Sequence, residues 1–179
     1  LPVSDESFSL EQLFEGVEQH LQINLPGVEM VAAWPDLSSR QHIPLPAVFL
    51  ELAEVEPGQD IGTGETTLVC KFEARIVVDV IRDHHQRQAV HLATQLAVLL
   101  RAQTWGLEVE PAEFVQAVQD WTRPELDGYT VWLVEWTQTV YLGTEEWPWP
   151  DEPPGTLVFG FNHETGPGHE GDYIAPEDM

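Results

Sequence analysis

Hydrophobic residues recur at helical spacing in two segments of the chain. Ser7 or Ser9 can cap the first segment, and Gln12 stands three residues after Ser9, which is the spacing of a capping box. Its apolar positions are Phe8, Leu10, Leu13, Phe14, Val17 and Leu21. The second segment, 85–102, repeats Ala and Leu over a broad stripe before Gly106. We therefore predict two amphipathic helices, the first ending near residues 24–27.

Other segments alternate apolar and polar residues with a period of two, which is typical of strands. The clearest alternation runs from Phe72 to Ile81. The remaining strand segments are predicted at 28–34, 47–55, 114–121 and 129–142. Strands joined by turns are most simply antiparallel, and two helices suffice to cover one sheet face. We predict an α+β fold with an antiparallel four- to five-stranded sheet, two helices packed on one face, and an extended C-terminal arm.

The second face of the predicted sheet is partly apolar. Along segment 129–142 one face carries Tyr129, Val131, Leu133 and Tyr141 beside polar residues. With both helices on the opposite face, these side chains have no cover from the predicted elements. We predict that a neighbouring subunit covers this face, with Leu133 and Tyr141 in the interface.

The chain divides by composition into a domain, residues 1–143, and an acidic aromatic arm, residues 144–179. The last 37 residues, 143–179, hold nine acidic residues and no Lys or Arg. Large apolar side chains stand among them, and such side chains act as anchors at interfaces. The anchors predicted for a subunit or partner interface are Trp147, Trp149, Phe159 and Phe161. The alternative is that the two tryptophans pack back onto the edge of the chain's own sheet.

The charge of the whole chain is strongly negative. There are 31 Asp and Glu against 7 Lys and Arg, which gives a formal net charge of -24. Such a surface does not hold nucleic acid by neutralising phosphates, because that binding requires clustered cations. The charge fits either a solubilising surface or the wall of a passage through which a polyanion slides.

Residue patterns that carry catalytic chemistry are absent from the sequence. There is no Gly-rich phosphate loop, no nucleophile elbow and no paired-cysteine metal knuckle. Cys70 is alone, so it forms no disulfide within the chain, and His84, His85 and His91 are poorly spaced for a metal. We expect no enzyme activity, no cofactor and no metal. We also expect no membrane segment or export signal, and folding inside the cell.

The order of elements resembles the tail terminator, or tail completion, proteins of long-tailed bacteriophages, particularly the Mu-like group. The resemblance spans residues 7–143. It rests on the N-terminal helix, the strand PAVFLEL at 46–52, the alternating strand 72–79, the Ala/Leu helix 89–100 and the strand YTVWLVEWTQTVYLG at 129–143.

The resemblance implies a structural virion protein at the head-proximal end of the tail, made in the host cytoplasm. It implies a homo-oligomeric ring, usually a hexamer of six copies, that caps the tail tube and ends its polymerisation. Its partners are the tail tube protein and the head-side connector protein. DNA passes through the ring without tight binding. In such a ring we expect an acidic lumen lined by Glu54, Glu56, Asp60 and Glu65, although the same loop could face a neighbouring subunit.

Two other function classes remain open on the sequence. The first is an acidic adaptor or nucleic-acid-mimicking inhibitor that binds a basic protein partner. The second is a hydrolase that uses the histidines and carboxylates. A native mass measurement separates the first from the ring, because a hexamer favours the terminator and a monomer or dimer favours the adaptor.

Overall fold

The structure is a computed structural model that describes residues 8–37, 42–146, 159, 167–169, 171 and 173–175. Two helices, five strands and one short 3-10 turn account for its regular elements. In chain order they are α1 (Leu10–Asn24), β1 (Met30–Ala33), β2 (Ala47–Pro57), β3 (Thr66–Asp79), α2 (His85–Leu99), β4 (Glu113–Gln119), the turn Pro124–Leu126, and β5 (Tyr129–Leu142).

The five strands form one sheet in the order β1-β2-β3-β5-β4. Strands β2, β3, β5 and β4 pair antiparallel, while β1 pairs parallel to β2. The predicted α+β class with two helices on one face is confirmed, but the sheet is mixed rather than wholly antiparallel. Residues 34–46 cross from the end of β1 to the start of β2, and a connection of about a dozen residues is long enough for a parallel pair.

Helix α1 begins at the predicted capping box. The Ser9 hydroxyl accepts a hydrogen bond from the Gln12 backbone N–H at 3.3 Å, and the Gln12 side chain accepts one from the Ser9 N–H at 3.0 Å. These bonds satisfy backbone donors that the first turn of a helix leaves without partners. The helix then buries Leu13, Val17 and Leu21 against the sheet.

The core lies between the two helices and one face of the sheet. Trp136 and Phe72 stack there from adjacent strands, with ring centroids 5.4 Å apart. The buried Gln138 stands on the same face, where its Oε1 accepts a hydrogen bond from the Trp105 indole N–H at 2.8 Å. Its amide donates to the carbonyl of Glu110 at 2.8 Å. This polar core residue therefore ties the segment after α2 to β5.

The chain separates into two compact units, Leu1–Trp147 and Pro148–Met179. The helices and the sheet belong to the first unit. In the described part of the second unit, Phe159 and Ile174 form an antiparallel bridge in which each N–H donates to the other carbonyl at 2.8 Å.

Candidate functional site

The face of the sheet opposite the helices holds the most unusual chemistry of the described residues, and we call it the helix-free face. Strand register places alternate residues of β2, β3 and β5 on it. Its central members are Ala47, Phe49, Glu51, Lys71, Glu73, Arg75, Val77, Val131, Leu133 and Glu135.

One half of the helix-free face is apolar and already covered. Phe49, Val77, Leu126 and Val131 are buried in a second, smaller core cluster with Ala47. The partly buried residues that pack on this cluster are Met30, Leu37, Ile43 and Leu45. Val131 is therefore only 4% exposed, although the sequence suggested an uncovered face. The reason is that β1, the segments on either side of residues 38–41 and the turn before β5 cover what the helices leave open.

The other half of the helix-free face is a network of charged groups around Arg75, which is buried. The Arg75 guanidinium donates to Asp120 at 2.7 Å, to Glu51 at 2.8 Å and to Glu73 at 2.6 Å. Arg123 also pairs with Glu51. A buried guanidinium needs such partners, because removing charge from water is unfavourable unless opposite charges and hydrogen bonds replace the hydration.

Two carboxylates at the helix-free face, Asp120 and Glu135, are held in the charged form. Burial opposes ionisation of Asp120, but hydrogen bonds from Thr122 and Arg75 outweigh it, so the pKa of Asp120 lies below its ordinary value. Burial likewise opposes ionisation of Glu135. The hydrogen bond from Gln116 and the Lys71 ammonium, 3.0 Å away, nevertheless lower the pKa of Glu135. Asp120 and Glu135 are therefore charged near neutral pH.

The two interface residues predicted on β5 lie on the helix-free face at different positions. Leu133 is half-buried and lies between Arg75 of β3 and Val118 of β4 in the register. Tyr141 is half-buried near the far end of β5, where its hydroxyl donates to Glu110 at 2.8 Å. That hydrogen bond raises the pKa of Tyr141.

Strand β4 forms an edge of the described sheet and exposes large apolar side chains. Phe114 is 48% exposed and Val115 is 50% exposed. Val118, on the helix-free face beside Leu133, and Trp121, just after the strand, are also exposed. An exposed apolar edge strand offers unpaired backbone groups to another chain unless something covers it.

The four acids predicted to line a lumen lie on or beside the hairpin that joins β2 to β3. Glu54, Glu56 and Asp60 are exposed, while Glu65 is half-buried. The Glu65 carboxylate accepts a hydrogen bond from the Thr63 hydroxyl at 3.0 Å. The structure brings these acids together at one end of the sheet.

At the opposite end of β3, the start of α2 borders a shallow cleft of about 620 Å³. Two arginines and two histidines line it. The full lining is Arg82, Asp83, His84, Arg87, Gln88 and His91. Across residues 8–37, 42–146 and the described parts of 159–175, no three His, Cys, Asp or Glu side chains are grouped to hold a metal.

Of the four arm anchors predicted, only Phe159 can be located. It is 43% exposed and belongs to the bridge with Ile174. Trp147, Trp149 and Phe161 lie outside the described residues. Within the described chain, no helix is long and apolar enough to cross a membrane.

No protein-family model matches this chain, and a search of curated proteins finds no relative.

The sequence analysis missed the Arg75 network and the cleft at the start of α2. A signal for the network was present, because Lys71, Glu73 and Arg75 occupy consecutive same-face positions of the clearest strand. Charged residues that alternate with apolar ones on a long strand indicate a polar face that needs partners. The partners themselves depend on the fold, since Glu51 comes from β2 and Asp120 follows the end of β4.

Proposed function

We propose that this chain is a structural virion protein of the phage tail terminator type. It forms a ring that caps the tail tube, ends tube polymerisation and joins the tail to the head-side connector. The observation that carries the proposal is the exposed apolar edge strand β4 beside the helix-free face. Phe114, Val115 and Val118 are exposed there, which favours cover by another chain.

A ring follows if the contact is heterologous. When one surface of a copy binds a different surface of the next copy, repetition around an axis closes a ring or builds a filament. The resemblance in the order of elements favours a ring of six copies. Leu133 lies opposite Val118 of β4 on the helix-free face, and Tyr141 lies further along β5 on the same face. Both belong to the proposed interface.

The charge distribution supports passage of DNA without adhesion. Three of the seven Lys and Arg residues, Lys71, Arg75 and Arg123, are engaged in ion pairs with carboxylates. Paired cations do not neutralise phosphates, so the net charge of -24 leaves a surface that repels a duplex. The hairpin acids Glu54, Glu56, Asp60 and Glu65 either line the lumen or contact the next copy.

Residues 144–179 are proposed to dock on a neighbouring subunit or another tail protein through their aromatic anchors. The proposal includes no catalytic residue, cofactor or membrane contact. Its partners are the tail tube protein and the head-side connector protein.

Native mass spectrometry of the full chain tests the assembly. A species of six times 20.2 kDa, in solution or on added tube ends, supports the ring. A monomer or dimer that leaves tube length uncontrolled contradicts it and favours the acidic adaptor. Capture of a basic protein by that monomer would then identify the adaptor function.

Interface variants test the surface. We expect Leu133→Glu to abolish ring formation while the circular dichroism spectrum stays unchanged. Val98→Glu is the matched control, because Val98 is 74% exposed on α2, away from the proposed interface. Rings that form equally well with Leu133→Glu and Tyr141→Glu would show that the interface lies elsewhere.

A further inference from the structure

The two ends of the long central strands carry opposite chemistry. Strand β3 begins at the β2–β3 hairpin and ends just before the cleft at the start of α2. Its 14 residues span about 45 Å at roughly 3.4 Å per residue. The hairpin and the cleft are therefore far apart on one molecule, and one surface does not reach the other within the same copy.

The hairpin end is an acidic surface with an apolar centre. Glu54, Glu56 and Asp60 are exposed there, and Glu145 and Glu146 lie close by at the end of β5. The Glu146 backbone N–H donates to the carbonyl of Thr63 at 2.8 Å, which fixes this proximity. Ile61, at the tip of the hairpin, is 49% exposed among these acids. We call this group the acidic tip.

The cleft at the start of α2 carries more positive than negative side chains. Arg82 and Arg87 are exposed on its walls beside one acid, Asp83. Ile81, directly before Arg82, is 86% exposed. The first turn of α2 contains no acidic residue, and no side chain caps its N-terminal end. The positive end of the helix dipole therefore adds to the two arginines. We call this group the cationic cleft.

Each surface thus presents an exposed isoleucine, Ile61 among acids and Ile81 beside a cleft whose two arginines outnumber its one lining acid, Asp83. An apolar centre with a charged rim is the usual anatomy of a protein interface, and complementary rims orient the partners. On a chain of charge -24, a cationic cleft fits a strongly acidic partner, and a second copy of the chain supplies one.

We propose that the acidic tip of one copy binds in the cationic cleft of the next, with Ile61 against Ile81. Because the two surfaces differ, the contact is heterologous and repeats head to tail. The inference rests on the ring proposed above, and it assigns the hairpin acids to a neighbouring copy rather than to the lumen.

Charge reversal on the full chain tests the contact. One variant carries Arg82→Glu and Arg87→Glu, and a second carries Glu56→Lys and Asp60→Lys. We expect each to weaken self-association by about tenfold or more in analytical ultracentrifugation at low salt. We expect the wild-type association to weaken with added salt, because exposed charges are screened. Arg101→Glu, an exposed arginine at the far end of α2, is the matched control and should associate normally.

Mixing the two reversed variants provides the decisive measurement. Each has lost the complementarity between its own surfaces, yet the acidic cleft of one fits the basic tip of the other. The mixture should therefore associate as strongly as wild type. Failure of the mixture to associate, or wild-type association by either variant alone, would overturn the inference. Because Arg82 also donates to the Leu45 carbonyl, Arg87→Glu alone serves as a second variant, and it should weaken association too.

The outcomes separate this contact from the proposed function. If the mixture of variants associates but the wild-type chain forms no rings on tail tubes, the contact is supported and the terminator function is contradicted. If rings form with both reversed variants, the function stands and the contact falls. If the variant with Arg82→Glu and Arg87→Glu loses binding to duplex DNA that the wild-type chain shows, while its self-association is unchanged, the cleft belongs to nucleic acid and the inference is overturned.

Discussion

The two faces of the sheet are built by different physical means. On the helix-covered face, Phe72, Val134 and Trp136 are buried with apolar partners and need only to fit together. On the helix-free face, Arg75 is also buried but depends on Glu51, Glu73 and Asp120. Burial on the first face gains stability from lost apolar surface, whereas burial on the second must offset the lost hydration of charges. The first face should therefore respond to changes of volume and the second to changes of charge.

The largest expected effect on stability comes from the helix-covered face. Trp136→Ala removes the largest fully buried side chain and its stacking on Phe72, so we expect the free energy of unfolding to fall by about 3 to 5 kcal/mol. Urea unfolding at neutral pH measures the change. Trp136→Phe is the control, since it keeps an aromatic ring and should be milder. An equal loss for both would mean that ring volume does not govern this face.

Arg75→Met should approach that effect by another route. Removal of one partner of a buried ion pair leaves uncompensated charge, which is unfavourable by about 3 to 5 kcal/mol. We expect this loss to shrink as the pH falls below about 4, because protonated carboxylates no longer need the guanidinium. The loss caused by Trp136→Ala should not depend on pH in the same way. A pH-independent loss for Arg75→Met would contradict the charged network.

A smaller effect, on stability at acidic pH, is expected from Asp120 at the helix-free face. The pKa of Asp120 is depressed in the folded chain, so the unfolded chain binds protons more readily. The stability that this residue contributes is present above its unfolded pKa of about 3.9 and is lost as the pH falls toward the folded value. Asp120→Asn should therefore flatten the decline of stability as the pH falls below about 4. Denaturant titrations at a series of pH values measure that slope, and an unchanged slope would rule out Asp120 as a contributor.

The smallest expected effect on stability lies at the edge of the helix-free face. Val118→Thr replaces an exposed apolar group, so we expect a change of about 0.5 kcal/mol or less. The matched change on the helix-covered face is Val134→Thr, where a fully buried hydroxyl should destabilise by about 1 to 3 kcal/mol. Val118→Thr should nevertheless weaken self-association, measured by sedimentation. If it destabilises the chain as much as Val134→Thr does, the edge of β4 is part of the core.

The helix-covered face was the more predictable of the two. Apolar periodicity located both helices and the bounds of β5, and the spacing of Ser9 and Gln12 predicted the capping box, because these features depend on neighbours close in the chain. The parallel pairing of β1 could not be read from four residues whose partners are set by a crossover. The residues that cover the helix-free face could not be predicted either, because many of them lie in irregular segments without periodicity.

The charged network shows most clearly where sequence reasoning ends. Arg75 lies 24 residues from Glu51 and 45 from Asp120, so only register and a loop bring them together. Alternation on β3 indicated which face Arg75 would occupy but not its partners. The acidic tip and the cationic cleft could not be predicted from the sequence for the same reason. Their positions at opposite ends of the sheet depend on the length and direction of β3 in the folded chain.

The paired central strands also have a mechanical consequence. Strands β3 and β5 pair along 14 residues each, from Thr66 opposite Leu142 to Asp79 opposite Tyr129. A force applied along the strands in opposite directions loads many backbone hydrogen bonds at once, whereas a force across one end opens them one after another. We expect single-molecule pulling through handles at Thr66 and Tyr129 to require more force than pulling through Asp79 and Tyr129. Equal rupture forces would mean that the hydrogen bonds between β3 and β5 do not resist the force together. A higher rupture force through Asp79 and Tyr129 would contradict the prediction.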